Sequence, residues 1–231
     1  MVDATTTKIT VSENGPYLVS GGLPLSVQAI GIDAAGNASS WEPRGELEVQ
    51  ESYALCRCGE SASKPFCDGT HARVGFDGKE IASRRPFAVD AELLPGPTMD
   101  LADDQPLCAF ARFCDGHGSI WANIERTDSE QARELVTHQG THCPSGRLVV
   151  RDHEGGEVLE PHFEPSVVLV EDPQENVSGP IWVRGGVQVV AADGFAYEVR
   201  NRVTLCRCGQ SSNKPFCDGT HASVGFRAGP T

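Results

Sequence analysis

Most of the groups in this chain that could do chemistry lie in two copies of one stretch. Leu55 to Phe76 reads LCRCGESASKPFCDGTHARVGF, and Leu205 to Phe226 reads LCRCGQSSNKPFCDGTHASVGF. Between Tyr53–Phe76 and Val203–Phe226, 18 of 24 aligned positions are identical, and every reactive residue falls in the identical set. Each copy presents Cys-x-Cys, eight further residues, then Cys-Asp-Gly-Thr-His. Three thiols and one imidazole at this spacing suit tetrahedral zinc or an iron–sulfur cluster, both at home in reducing compartments. The first set is Cys56, Cys58, Cys67 and His71; the second is Cys206, Cys208, Cys217 and His221.

The spacing implies the elements that must carry these groups. Residues two apart in an extended segment point the same way, so each Cys-x-Cys pair can face one site. Residues four apart share a helix face, which suits Cys67 with His71 and Cys217 with His221. A hairpin and a short helix would then close each site. Pro65 and Pro215 can pre-set the backbone before that helix, and Asp68 and Asp218 can offer oxygens to its first amides. Gly69 and Gly219 allow close backbone approach.

The run Cys-Arg-Cys-Gly-x-Ser-x-x-Lys-Pro-Phe-Cys-Asp-Gly-Thr-His resembles the CDGSH iron–sulfur domain family, with Thr70 and Thr220 where the family name has Ser. The resemblance implies a [2Fe-2S] cluster in each copy, held by three cysteines and one histidine at the positions named above. It also implies that the two modules pack as an internal pseudo-dimer within a monomer, because family members with one motif generally pair two chains. Ser61 and Ser211 occupy the family's Ser/Thr position, where a hydroxyl could bond a cluster sulfur or simply hold a turn. Arg57, Arg207, Lys64 and Lys214 could offset the cluster's negative charge, and Lys64 and Lys214 could equally be solvated surface cations. Phe66 and Phe216, beside a ligand, read as shields of the site.

The repeat reaches back beyond the cysteines. GPYLVSGGLPL from Gly15 matches GPIWVRGGVQV from Gly179. The first copy carries extra residues after that match, and Gly31 to Arg44, rich in small and polar residues, is expected to hold them as a surface loop. Lys8 to Val11 and Tyr17 to Val19 are expected strands, and 166–170 and 181–190 begin the second module. The domain layout is a first module over 1–86, a linker over 87–106, a middle insert over 107–160 and a second module over 161–231. The fold class is mainly β: small iron–sulfur modules with a one-turn helix at each site and a short α+β insert.

The middle is different in composition. Phe87 to Pro106 holds five acidic residues and four prolines or glycines, and reads as a linker. Leu107 to Phe113 is expected to be helical. Thr127 to Gly140 is a second expected helix, with Thr127 and Glu130 as a capping box and Gly140 as its stop. Cys108 and Cys114, with five residues between them and a Cys143-Pro144 pair downstream, resemble single-cluster bacterial ferredoxins. That resemblance implies a third cluster, [3Fe-4S] or [4Fe-4S]. A decayed third copy of the motif, in Cys114-Asp115-Gly116-His117, and three buried thiols serving as small hydrophobes are the alternatives. His138, His142, His153 and His162 have no ligand spacing and are expected at the surface or in a polar core.

With 231 residues, a formal charge of −13 and few aromatics, the chain suits several small metal-stapled modules better than one large core. The negative charge disfavours nucleic acid and anionic membrane surfaces and favours a basic partner. No stretch reaches the length of a membrane span, and the first residues lack the basic and apolar regions of a signal peptide. The protein is therefore expected to be cytoplasmic and free of membranes, like the soluble members of the family, and its odd thiol count argues against a disulfide framework. No nucleophile–base pair or phosphate loop is recognisable, so an enzyme is not expected. The expected function is single-electron transfer through two [2Fe-2S] clusters to a redox partner protein. The alternative is a cluster carrier or redox/pH sensor that donates clusters to an apo-protein acceptor.

Overall fold

A computed structural model describes residues 7–229. Residues 1–6, on which the expected lack of a signal peptide partly rests, lie outside them, as do residues 230 and 231. The first half supplies β1 (Lys8–Val11), β2 (Tyr17–Ser20), β3 (Leu25–Ile32), β4 (Ala38–Leu47), β5 (Ser52–Leu55) and the one-turn helix α1 (Thr70–Arg73). The middle supplies α2 (Phe87–Asp90), β6 (Glu92–Pro95), β7 (Met99–Asp103), α3 (Ile120–Ile124), α4 (Glu130–His142) and β8 (Leu148–Asp152). The second half supplies β9 (Ser166–Asp172), β10 (Val177–Arg184), β11 (Gln188–Val190), β12 (Arg202–Leu205) and α5 (Thr220–Ser223).

The halves exchange strands. One sheet runs β11-β1-β2-β5 and the other β12-β10-β9-β3-β4, so the second half lends β11 and the first half lends the β3–β4 hairpin. The lent strands pair in parallel: β11 beside β1 with Ile9 opposite Val189, and β3 beside β9 with Val27 opposite Leu169. Parallel neighbours cannot be joined by a tight turn, and here they come from distant parts of the chain. Both sheets close over one core, in which Ile9, Val19 and Leu25 pack with Val167, Leu169 and Val183. Each such buried side chain contributes about 1.5–3 kcal/mol, so neither half keeps its core without the other.

β9 and β10 are buried along almost their whole length, because both faces of their sheet are covered. The second face packs Val168, Val170 and Trp182 against Phe113 of the insert. The insert has its own small core of Met99, Leu101, Ile120, Ile124, Val136, Leu148 and Val150 beneath a β6-β7-β8 sheet.

The structure corrects four expectations. The segment 87–106 is no linker: it forms α2, β6 and β7, with Met99, Leu101 and Asp104 buried and Asp103 paired with Arg147. Residues 31–44 are not a surface loop but extend the β3–β4 hairpin, with the long β4 at a sheet edge. Leu107 to Phe113 is not helical, since Phe110 (φ 53°) and Arg112 (φ 63°) both sit in the left-handed region. The capping box does not form. Thr127 Oγ1 donates to Ile124 O at 3.1 Å, Ser129 takes the N-cap, and α4 runs through the buried Gly140 to His142. α4 ends at the extended Cys143 directly before Pro144, and Arg202 Nη1 donates to the carbonyls of Gly140 and Cys143 at 2.7 and 2.6 Å.

Candidate iron–sulfur centres

Each terminal site forms where a strand end meets a returning turn. Leu55 bridges Phe66, Cys56 N donates to Pro65 O at 2.8 Å, and Cys67 N donates to Ala54 O at 2.9 Å. The second copy repeats this, with Leu205 bridging Phe216 and both amide bonds at 2.9 Å. These bonds bring the third cysteine beside the Cys-x-Cys pair. The left-handed Gly69 and Gly219 (φ 83° and 87°) then turn the chain into α1 and α5. Because these helices begin only at Thr70 and Thr220, Cys67 and Cys217 lie outside them. It is the Cys-Asp-Gly turn, not a shared helix face, that sets each cysteine against its histidine. Asp68 and Asp218 do bond the first helical amide, at 2.9 and 3.0 Å.

The donors fall into pairs. Cys56 Sγ and Cys58 Sγ lie 3.7 Å apart, and Cys206 Sγ and Cys208 Sγ 3.8 Å apart. Cys67 Sγ lies 3.3 Å from His71 Nδ1, and Cys217 Sγ 3.4 Å from His221 Nδ1. Two sulfurs on one tetrahedral ion with bonds of about 2.3 Å would be about 3.7–3.8 Å apart. Each pair therefore has roughly the bite of one metal ion. Among the described residues no three Cys, His, Asp or Glu side chains converge on a single ion position.

Burial governs the protonation of these groups. Burial pushes the Cys58 thiol up to about 11 and Cys217 well above its usual range. A bare thiolate is thus disfavoured, and a bound cation would compensate it. Burial also pushes His221 down to about 4, against the pull of Asp172 and Asp218, leaving a neutral imidazole able to ligate. Backbone amides aim at the sulfurs, from Glu60 to Cys58 Sγ and from Gly219 to Cys217 Sγ, each at 3.5 Å.

The flanking residues take definite roles. Ser61 Oγ donates to Phe66 O and Ser211 Oγ to Phe216 O, both at 2.7 Å. Each hydroxyl proton thus goes to a carbonyl of the turn, the turn role, and the backbone amide of Ser211 is what faces Cys206. Arg57 is buried, donating to Ser12 O and Gly78 O, and Arg207 donates to Glu171 at 2.8 Å. Lys64 and Lys214 reach back to Ser61 O and Ser211 O at 2.7 and 2.9 Å. Phe66 and Phe216 pack on the shared core, edge-on to Tyr53 and Tyr197.

Sequence reasoning missed Tyr17. Its buried hydroxyl crosses from the first module to the second site, 2.9 Å from Cys206 O and 3.0 Å from Pro215 O. The available signal was an asymmetry in the repeat, which has Ile181 in the matching position.

The three remaining cysteines also come together. Cys108, Cys114 and Cys143 line one small cavity with Ala109, Ala111 and Arg147. Burial raises the Cys114 thiol to about 12, and Asp115, Cys143 and Cys108 add to the rise. His117 is held away from these thiols by Asp33, 2.8 Å from its Nε2.

Two modules of paired cysteine and histidine donors around a middle cysteine pocket define an iron–sulfur protein, and comparison with known families agrees. The family described as iron-binding zinc finger CDGSH type matches residues 14–72 and 178–222. The family described as divergent 4Fe-4S mono-cluster matches residues 94–153. Both terminal modules thus belong to the CDGSH family, with a ferredoxin-like mono-cluster segment between them. No curated protein matches the chain. Among the described residues no helix is long and apolar enough to cross a membrane.

Proposed function

We propose that the protein carries single electrons through two [2Fe-2S] clusters, one at Cys56, Cys58, Cys67 and His71, the other at Cys206, Cys208, Cys217 and His221. The observation that carries this is the split of each donor set into two pairs at the bite of a tetrahedral ion. Two such pairs suit a binuclear cluster better than a single zinc ion, which needs all four donors around one point. A bound cluster would supply one-electron oxidation and reduction without large rearrangement. The chain's own residues hold the donors rigidly: the Leu55–Phe66 and Leu205–Phe216 bridges fix the cysteines, and amides facing the sulfurs favour the thiolate state.

The strand exchange supports reading the two modules as an internal pseudo-dimer, so that one chain does what single-motif relatives do as two. The pocket of Cys108, Cys114 and Cys143, inside the segment matched to the mono-cluster family, supports a third cluster, [3Fe-4S] or [4Fe-4S]. The partner is a redox protein, and the negative charge favours a basic one. A role as cluster donor to apo-proteins uses the same residues, and the half-buried Cys67 and His71 favour it for the first site. Mixing the holo-protein with an apo-ferredoxin separates the two roles. A carrier of electrons leaves the acceptor without iron and sulfide, whereas a donor fills it.

A further inference from the structure

The two terminal sites have the same ligands and nearly the same sequence, yet their surroundings differ. At the second site Cys217 and His221 are 3 % and 4 % exposed, whereas Cys67 and His71 of the first are only half-buried. The difference comes from the insert. A Cβ placed on Gly219 would lie 3.2 Å from Cys108 O and 3.4 Å from Phe110 Cβ, while one on the matching Gly69 would meet nothing within 4 Å. Asn213 Nδ2 donates to Pro106 O at 3.0 Å, and its counterpart Ser63 lies exposed. Arg112 ties the same segment down by pairing with the buried Asp172, donating to its Oδ1 at 3.1 Å.

We infer that the insert's segment 106–112 is a cap over the second site, so that the first site, at Cys67 and His71, is the one through which the protein exchanges iron with an acceptor or chelator. This rests on the reading of both sites as cluster sites. Identical ligand sets remove ligand identity as a source of different release rates, and loosening the cap's own contacts tests whether access sets the difference that remains. Release from a capped site has to wait for a local opening of the cap, and release from the open site does not. The close approach of Cys208 O to Gly59 does not distinguish the sites, because Cys58 O approaches Gly209 in the same way.

The test is loss of visible cluster absorbance from the anaerobic full-length holo-protein mixed with excess of a bulky iron chelator. Cys67→Ser and Cys217→Ser are compared, so that the unaltered insert contributes equally to both. Cys217→Ser, which keeps the first site, should lose its terminal cluster about tenfold or more faster than Cys67→Ser, as expected for release that needs no local opening. Wild type should show both phases. Phe110→Ala combined with Asn213→Ser should accelerate the slow phase and leave the fast one unchanged. Equal rates in the two cysteine variants, or a single terminal-site rate in wild type, would overturn the cap. Purified protein with no iron–sulfur absorbance would overturn the reading of the sites themselves.

Discussion

Gly59 and Gly209 each meet the other module's cysteine backbone. A Cβ on Gly59 would lie 2.5 Å from Cys208 O, and one on Gly209 would lie 2.4 Å from Cys58 O. Both glycines have positive φ, 81° and 79°. No side chain fits there, so this reciprocal contact is what lets the two Cys-x-Cys turns pack back to back.

Gly59→Ala and Gly209→Ala should therefore each destabilise the holo-protein by on the order of 3 kcal/mol, combining left-handed strain with a backbone clash. Gly69→Ala has a similar φ of 83° but open space around it, and should cost about 1 kcal/mol. Thermal unfolding of the three variants checks this. Equal losses at all three would contradict the close approach.

Tyr17 links modules in a second way. Tyr17→Phe removes the donor to Cys206 O and Pro215 O and should cost about 1–2 kcal/mol, lowering the unfolding midpoint by roughly 2–8 °C for a chain of this size. The lesion should fall on the second site although Tyr17 belongs to the first module. In the Cys67→Ser background, Tyr17→Phe should speed cluster loss; in the Cys217→Ser background it should not. The opposite pattern would show that the hydroxyl does not support Cys206.

Cluster binding should hold each module together, since modules of this size bury too little apolar surface to fold securely alone. Cys67→Ser and Cys217→Ser should each lose about two iron atoms per chain and unfold at lower temperature than wild type. Full iron content with unchanged unfolding in both would contradict it.

The insert offers its own test. With a third cluster at Cys108, Cys114 and Cys143, mildly oxidised protein containing a [3Fe-4S] centre gives an electron paramagnetic resonance signal, whereas oxidised [2Fe-2S] centres are silent. A [4Fe-4S] centre shows its signal on reduction instead. Iron should be about seven or eight per chain, falling to about four when all three cysteines are replaced by serine. About four in wild type, with no further signal in either oxidation state, would make these thiols structural.

Much of the terminal sites was legible because ligand identity and spacing are local properties. All eight candidate donors were visible as Cys-x-Cys and Cys-Asp-Gly-Thr-His, and β1 and β2 were visible as short β-prone runs either side of a turn. The strand exchange was not legible. Alternation in β3 and β11 says which face is buried but not which strand lies alongside. The acid-rich 87–106 read as a linker because charge and proline suggest solvated chain, whereas Asp103 is paired with Arg147, Asp104 is buried, and Met99 and Leu101 lie in the insert's core. Leu107 to Phe113 read as helix because its composition allows one, while the left-handed Phe110 and Arg112 follow from packing over the second site. Tyr17 was overlooked because its contact joins residues 189 positions apart.

The central claim, two binuclear iron–sulfur sites built on paired donors, is tested most directly by metal and sulfide analysis together with the visible spectrum of anaerobically purified protein. The variant with Cys108, Cys114 and Cys143 all replaced by serine isolates the terminal sites. It should contain about four iron and four acid-labile sulfide per chain and be visibly coloured. About two zinc per chain, with no sulfide and no visible absorbance, would contradict the account.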